Sequence, residues 1–327
     1  MRAIVFDQPG DESVLHLGDV PAPSLSADDL RIRVRTTALN RADLAQRMGM
    51  YPPPPGASPL LGLECAGEVI EAGARVRGWK AGQRAMALLP GGGYAEEVVV
   101  HAGSAMPVPD ALSDEEAGAL PEVFLTAFLN IFLLGEPPDG GAVLVHGGGS
   151  GVGTAAMALC REAGLKVIVT AGSEEKCRAC LEHGADAAIN YRAGDFTAGV
   201  MGATDGKGVN VVLDCVGGSY LEGNVNSLAL GGRLVIIGMM GGMRGELDVA
   251  SLMLKRLQVI GSTLRSRPVE EKARIVSAFC DRFGEALEAG RLRPPIDRVF
   301  PLAQAAEAHR LMQASEHFGK IVLKVRD

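Results

Sequence analysis

The sequence predicts an α/β protein in which a β-rich N-terminal segment precedes a parallel, doubly wound sheet. Three observations predict it. Up to about residue 110, alternating apolar and polar residues are broken by dense Pro/Gly punctuation. From Ala142 onward, short β-branched runs alternate with helical stretches. The first of those runs opens into the glycine cluster of Val143-Leu-Val-His-Gly-Gly-Gly-Ser-Gly-Val-Gly-Thr154 and continues as a helix.

In order along the chain, Leu30-Arg-Ile-Arg-Val-Arg35 alternates strictly, with Leu30, Ile32 and Val34 on one strand face and the arginines on the other. Strands at 67–73 and 95–100, with turns at Gln8-Pro-Gly10, Pro21-Ala-Pro23, Pro52-Pro-Pro-Pro-Gly56 and Pro90-Gly-Gly-Gly93, suggest a small, irregular barrel. Ser113-Asp-Glu-Glu116 is a capping box that starts a helix, Pro121 interrupts it, and a second helix runs to about Leu134. Strands then fall at 143–146, 166–170, 187–190, 209–214, 233–238 and 257–262, with helices such as 154–163 and 174–183 between them. Further helices cover 268–289 and 302–314. The tail, Gly319-Lys-Ile-Val-Leu-Lys-Val325, is a strand expected to pair back with the N-terminal domain.

A chain of 327 residues accommodates two domains with separate cores. Its 47% apolar and 22% charged content suits a soluble globular protein, and 43 glycines suit many tight strand–helix joints. A net charge of −7 with no Lys/Arg run argues against nucleic-acid and anionic-membrane partners. The first residues lack the apolar core of a signal peptide, and the apolar run 124–134 is too short to span a bilayer. Six scattered cysteines suggest reduced thiols, so a cytoplasmic location is expected.

Strand, glycine turn and helix in that order form a phosphate-binding device: glycines permit close backbone approach, and the helix N-terminus offers free N–H groups and a positive dipole end. Against G-x-G-x-x-G, Gly148 and Gly153 fit and Ser150 replaces the middle glycine, where its hydroxyl can serve as a pyrophosphate donor. In NAD-preferring folds an acid ends the second strand and binds the ribose 2′-hydroxyl. Here that strand ends Val169-Thr-Ala-Gly-Ser173, which leaves room for a 2′-phosphate, with Ser173, Lys176 and Arg178 as donors. Glu174 and Glu175 complicate this reading, although they also suit a helix N-terminus. The cofactor expected is NADPH.

The whole chain resembles the medium-chain dehydrogenase/reductase superfamily, within it the zinc-free quinone oxidoreductases, and among these the p53-inducible, NADPH-dependent branch. The segments that carry the resemblance include Ala38-Leu-Asn-Arg-Ala-Asp-Leu44, Pro53-Pro-Pro-Gly-Ala57, Leu61-Gly-Leu-Glu64, Ala85-Met-Ala-Leu-Leu-Pro-Gly-Gly-Gly93, Leu125-Thr-Ala127, Ser150-Gly-Val-Gly-Thr-Ala-Ala156, Leu213-Asp-Cys-Val-Gly-Gly-Ser-Tyr220 and Gly319-Lys-Ile-Val322. It implies a GroES-like β-barrel catalytic domain (1–120 and 266–327) and a Rossmann dinucleotide-binding domain (121–265). It also implies a homodimer, with an edge-to-edge seam near residues 257–263.

The resemblance further implies site roles. Asn40, Asp43 and Tyr51 face the nicotinamide and the acceptor, and Thr126 approaches the nicotinamide. Ser150, Gly151 and Val152 cradle the pyrophosphate, while Gly172, Ser173, Lys176 and Tyr191 surround the 2′-phosphate. Gly238, Met239 and Met240 follow the fifth strand, and Leu264, Ser266 and Lys320 close the cleft. Each has a plainer alternative: Asn40 and Asp43 can bridge loops, Tyr51 can pack on its prolines, Met239 and Met240 can fill a core, and Lys320 reads on sequence alone as a solvated lysine. Gly217 and Gly218 suit a tight turn.

Zinc-dependent relatives place ligands where this chain has Asn40, Asp43 and Leu63-Glu64, and carry a four-cysteine lobe that is absent, so no metal is expected. Cys177-Arg-Ala-Cys180 lies early in a helix with no second pair nearby, which favours two small residues on one helical face. Without a metal or a Ser/His/Asp set, the chemistry falls to the nicotinamide, which suits hydride transfer to a quinone. Two alternatives stand beside it: reduction of an activated C=C bond in an enal or enone, and a non-catalytic NADPH-binding protein.

Overall fold

The computed structural model describes residues 1–326. The chain divides into two compact units, one built from Met1–Leu125 together with the segment from Leu264 onward, the other from Thr126–Thr263.

The first unit holds a seven-stranded sheet in the order Ile296–Pro301, Lys320–Lys324, Asp29–Ala38, Glu64–Ala72, Arg84–Leu88, Ala105–Pro107, with Glu97–His101 also pairing to Asp29–Ala38. The alternation read in 30–35 is realised: Leu30, Ile32 and Val34 are buried in an apolar core with Val69, Val98 and Val100. The C-terminal strand does pair back, antiparallel, with Val322 opposite Ala38 and Leu323 opposite Thr37. A second core forms around Leu39, Leu44, Leu61, Tyr94, Ala308, Met312 and Ile321. The capping box at Ser113 is formed, with Glu116 N–H donating to Ser113 Oγ at 3.2 Å.

The second unit is a six-stranded parallel sheet in the order Ala187–Asn190, Lys166–Ala171, Ala142–His146, Val209–Asp214, Leu228–Ile236, Gln258–Gly261. The order in which strands are added reverses between Ala142–His146 and Val209–Asp214. In an open parallel sheet, the carboxyl edge at that switch point is where ligands bind.

Several local features differ from expectation. The strand expected at 233–238 begins at Leu228 and ends at Ile236, leaving Ile237 and Gly238 to the edge loop. The helix expected to run to Leu134 is α-helical over Pro121–Phe128 and widens to a π-helix over Leu129–Leu134, where Asn130 Nδ2 donates to the Thr126 carbonyl at 2.7 Å. Helices at Arg41–Arg47, Phe196–Ala203, Leu221–Ser227 and Val249–Leu254 are too short for clear periodicity. No helix among the described residues is long and apolar enough to cross a membrane.

Candidate active site

The glycine turn stands at the carboxyl edge of the parallel sheet. Gly147 has φ of +75°, which a side chain would disfavour. A Cβ on Gly153 would lie 2.5 Å from the carbonyl oxygens of both Gly147 and Gly148, so only glycine lets the helix Gly151–Glu162 start against its own strand. Ser150 is the N-cap: its Oγ accepts from Gly153 N at 3.0 Å, which leaves its hydroxyl proton free to donate. The residue that departs from the glycine fingerprint therefore supplies a cap.

The end of the second strand is arranged in parallel fashion. Ser173 caps the helix Glu174–Glu182 and accepts from Lys176 N at 3.2 Å. Glu174 is turned to Asn190 Nδ2, at 2.8 Å. A Cβ on Gly172 would sit 2.7 Å from the Tyr191 hydroxyl, so the absence of a side chain makes room for that ring. Tyr191 is 39% exposed, with the Arg192 guanidinium 6.0 Å from its centroid. Met239 and Met240 are exposed at 60% and 62%, so the core-filling alternative does not hold for them.

A buried polar chain holds the loop after the fourth strand. Asn224 Nδ2 donates to Asp214 Oδ2 at 3.0 Å, which fixes Asn224 Oδ1 as an acceptor, and His146 Nε2 lies 2.6 Å from it. His146 Nε2 must then carry the proton, and Nδ1 accepts from Thr170 Oγ1 at 2.9 Å. Asp214 in turn accepts from the N–H groups of Val216 (2.7 Å) and Gly217 (3.0 Å), so the loop is anchored from the sheet core. Gly217, at φ +80°, makes the tight turn expected of it. Burial holds His146 down at about 4, hence neutral at ordinary pH. Sequence reasoning missed this chain because its linked members are 10 to 78 residues apart.

In the first unit, Asn40, Asp43, Glu64 and Lys320 form one buried cluster. Lys320, which sequence alone suggests is solvated, is 2% exposed. Its ammonium donates to Leu39 O (2.8 Å), Asn40 Oδ1 (2.8 Å) and Glu64 Oε1 (2.7 Å), and these three acceptors use all its donors. Asn40 Nδ2 also donates to Glu64 Oε1, at 2.9 Å, and Glu122 N–H donates to Glu64 Oε2 at 2.9 Å. Asp43 accepts from Asn40 N (2.8 Å) and Gly62 N (2.9 Å), yet burial still pushes its carboxyl up to about 6. Behind it, the Tyr94 hydroxyl lies 3.4 Å from Asp43 Oδ2 and 3.2 Å from His309 Nε2, and Arg47 lies 3.3 Å from His309 Nδ1. Arginine can only donate, so His309 is neutral with its proton on Nε2, and burial holds it at about 3.

Tyr51 is half-buried with the Arg265 guanidinium 5.4 Å from its centroid. Arg265 lies between the two positions expected from sequence, buried Leu264 and exposed Ser266, and is itself 3% exposed. It donates to Pro90 O (2.8 Å) and Gln46 Oε1 (2.6 Å). Arg265 and Glu122 were invisible to motif reading; only the fold brings them within electrostatic range of Tyr51, and Lys272 within range of Arg265 and Glu122.

The oxygens of this cluster are already committed to protein donors. Both Glu64 oxygens are engaged, a lysine ammonium stands among the oxygens of Glu64 and Asn40, and no group of three or more His, Cys, Asp or Glu among the described residues can hold a metal. Cys177 and Cys180 are buried in their helix, with burial pushing the Cys180 thiol up to about 12, consistent with a packing role.

Comparison with known proteins adds to this geometry. Residues 26–110 match the alcohol dehydrogenase GroES-like domain and residues 151–279 match the zinc-binding dehydrogenase model. The chain is 30% identical to quinone oxidoreductase of Rattus norvegicus, over 99% of this chain and 97% of the other. It is 32% identical, over 98% of its own length, to a phenolphthiocerol/phthiocerol polyketide synthase of Mycobacterium tuberculosis, of whose length it spans 14%. Among solved structures it is similar to an NAD-dependent alcohol dehydrogenase (34% identity, TM-score 0.87, 100% of each chain). It is also similar to Escherichia coli quinone oxidoreductase complexed with NADPH (26% identity, TM-score 0.87, 99% and 100% of the two chains). Two matched domains and a full-length relative at this identity place the chain in the medium-chain dehydrogenase/reductase superfamily, as an oxidoreductase of the kind that includes the quinone oxidoreductases.

Proposed function

We propose that this protein is an NADPH-dependent reductase that passes hydride to a quinone without a metal. The observation that carries this is the second strand, Lys166–Ala171, running through Gly172 into the capping hydroxyl of Ser173, with no acid at those positions to select a ribose 2′-hydroxyl. When bound, NADPH supplies the hydride. Ser150, Gly151 and Val152 hold its pyrophosphate at a helix N-terminus; Gly172, Ser173, Lys176 and Tyr191 hold the 2′-phosphate; Gly238, Met239, Met240 and Thr126 line the nicotinamide end. Leu264 and Ser266 complete its surroundings. Lys320 acts indirectly, by holding Asn40. Asn40, Asp43 and Tyr51 orient the acceptor, whose reduced oxygens are protonated without a Lewis acid.

Steady-state kinetics with NADPH and NADH against ortho- and para-quinones test this. NADPH is expected to give the higher kcat/KM; a clear preference for NADH, as the name of one structural relative would suggest, overturns the cofactor assignment. A second reading, reduction of an activated C=C bond, is favoured by the similarity to a polyketide synthase. Alkenals turned over far faster than any quinone would establish it. The edge strand Gln258–Gly261, with Val259 39% exposed and Met253 and Leu254 nearby at 70% and 75%, is the proposed homodimer seam, and sedimentation as a monomer overturns it. A cytoplasmic location accompanies this reading.

A further inference from the structure

Two glutamates meet in the first unit under opposite conditions. Glu64 is fully buried and receives hydrogen bonds from Asn40, Lys320 and the Glu122 N–H. Glu122, half-buried at the start of the helix Pro121–Phe128, receives none: its Oε2 is shielded from solvent and has no partner among the described residues, while the side chain as a whole keeps some contact with solvent. Negative charge on that oxygen would lack both water and donors, whereas a carboxylic acid would not need them. The surrounding charges are Glu64 and Asp43 on one side and Lys320, Lys272 and Arg265 on the other, with the Tyr51 phenol also in range. Lys272, on the helix Val269–Glu288, is 5% exposed, and its ammonium has no hydrogen-bond or ion-pair partner among the described residues. Its charge lies in electrostatic range of the Glu122 carboxyl, which can offset it only when ionised.

We propose that Glu122 is a general acid of the reaction: it gives its carboxyl proton to the acceptor as hydride arrives, and Lys272 stabilises the carboxylate left behind. This rests on the reductase reading above. The acceptor gains two electrons and one hydrogen as hydride from NADPH. The Glu122 O–H bond breaks, and a new bond to hydrogen forms on the acceptor, at oxygen for a quinone or at carbon for an alkene. Water returns a proton to Glu122, so that acceptor, NADPH and one proton give reduced acceptor and NADP+. Burial beside Glu64 pushes the Glu122 carboxyl up to about 8, which keeps the proton in place at neutral pH and makes it transferable.

The test pairs Glu122→Gln with Lys272→Met in the full-length protein. Glutamine keeps the size and removes the acid, so kcat is expected to fall by about 100-fold or more. The wild-type rate is expected to decline above pH about 8 and Glu122→Gln to lack that limb. A solvent deuterium isotope effect on kcat in wild type is expected to shrink in the variant. Lys272→Met removes the cation that favours the carboxylate, so it is expected to move the alkaline limb to higher pH. Infrared spectra give a readout independent of turnover: a protonated carboxyl band at pH 7 in wild type, missing from Glu122→Gln. Absence of that band in wild type overturns the proposal, as does a variant with unchanged kcat, pH profile and isotope effect. A wild-type enzyme that reduces no quinone and no alkenal overturns the reductase reading itself, and is distinguished because wild type and variant then fail alike.

Discussion

The ammonium of Lys320 lies 2.7 Å from Oε1 of Glu64, with the two side chains 2% and 0% exposed. A buried pair of this kind costs much to desolvate and is held by its remaining hydrogen bonds, here from Asn40 and the Glu122 backbone. It ties the last strand to the site and fixes Asn40 from both ends of its amide.

Breaking that pair on one side strands a charge. Lys320→Met is expected to destabilise the protein by about 3–5 kcal/mol, and Lys320→Met with Glu64→Gln by clearly less, because the second change removes the orphaned carboxylate. Urea unfolding measures both; equal losses would show that the cost lies in packing rather than in charge.

The cradle at the glycine turn depends on a missing side chain and on a hydroxyl. Gly153→Ala places a methyl 2.5 Å from two carbonyl oxygens and is expected to weaken NADPH binding about tenfold or more. Ser150→Ala removes the cap from Gly153 N and is expected to cost about 1 kcal/mol of stability, with Ser150→Thr largely restoring it. Fluorescence titration and thermal unfolding read the two effects separately.

At the second strand, Lys176→Ala is expected to lower kcat/KM for NADPH by about 10- to 100-fold, the worth of one hydrogen bond to a charged group, and to leave NADH unchanged. An equal fall for both cofactors would place Lys176 in a structural role.

Neutral burial of His146 makes stability depend on acid. Its unfolded value is 6.5 and its folded value about 4. Between these the unfolded chain binds a proton that the folded chain does not, so the stability it contributes is complete above 6.5 and is lost as pH falls towards 4. Asp43 and Glu122, whose folded values are raised to about 6 and about 8, work in the opposite sense, so the net slope is not diagnostic. The comparison of wild type with His146→Asn isolates the histidine: wild type is expected to lose about 1.4 kcal/mol more per pH unit across that window. Parallel curves would show that His146 is charged when folded.

Sequence alone determined the two-part α/β plan, because sheet periodicity and glycine turns are local properties of the chain. Strands at Ala187–Asn190 and Val209–Asp214 coincide with their expected bounds, and the glycine turn leading into a helix was legible, with Ser150 at its start. Residues quoted from motifs, such as Asn40 and Asp43, were legible as candidates, while their partners were not. Only the tertiary structure decided that Lys320 is buried on Glu64, that His146 reaches Asp214 through Asn224, and that Glu122 stands unpaired near Lys272. Lys320 and Glu64 are 256 residues apart, and no local pattern records which charges the sheet will bring out of water together. Hydrogen-bond satisfaction and desolvation are properties of the packed chain, and here they leave one glutamate fully hydrogen-bonded and the other with an oxygen that has no donor.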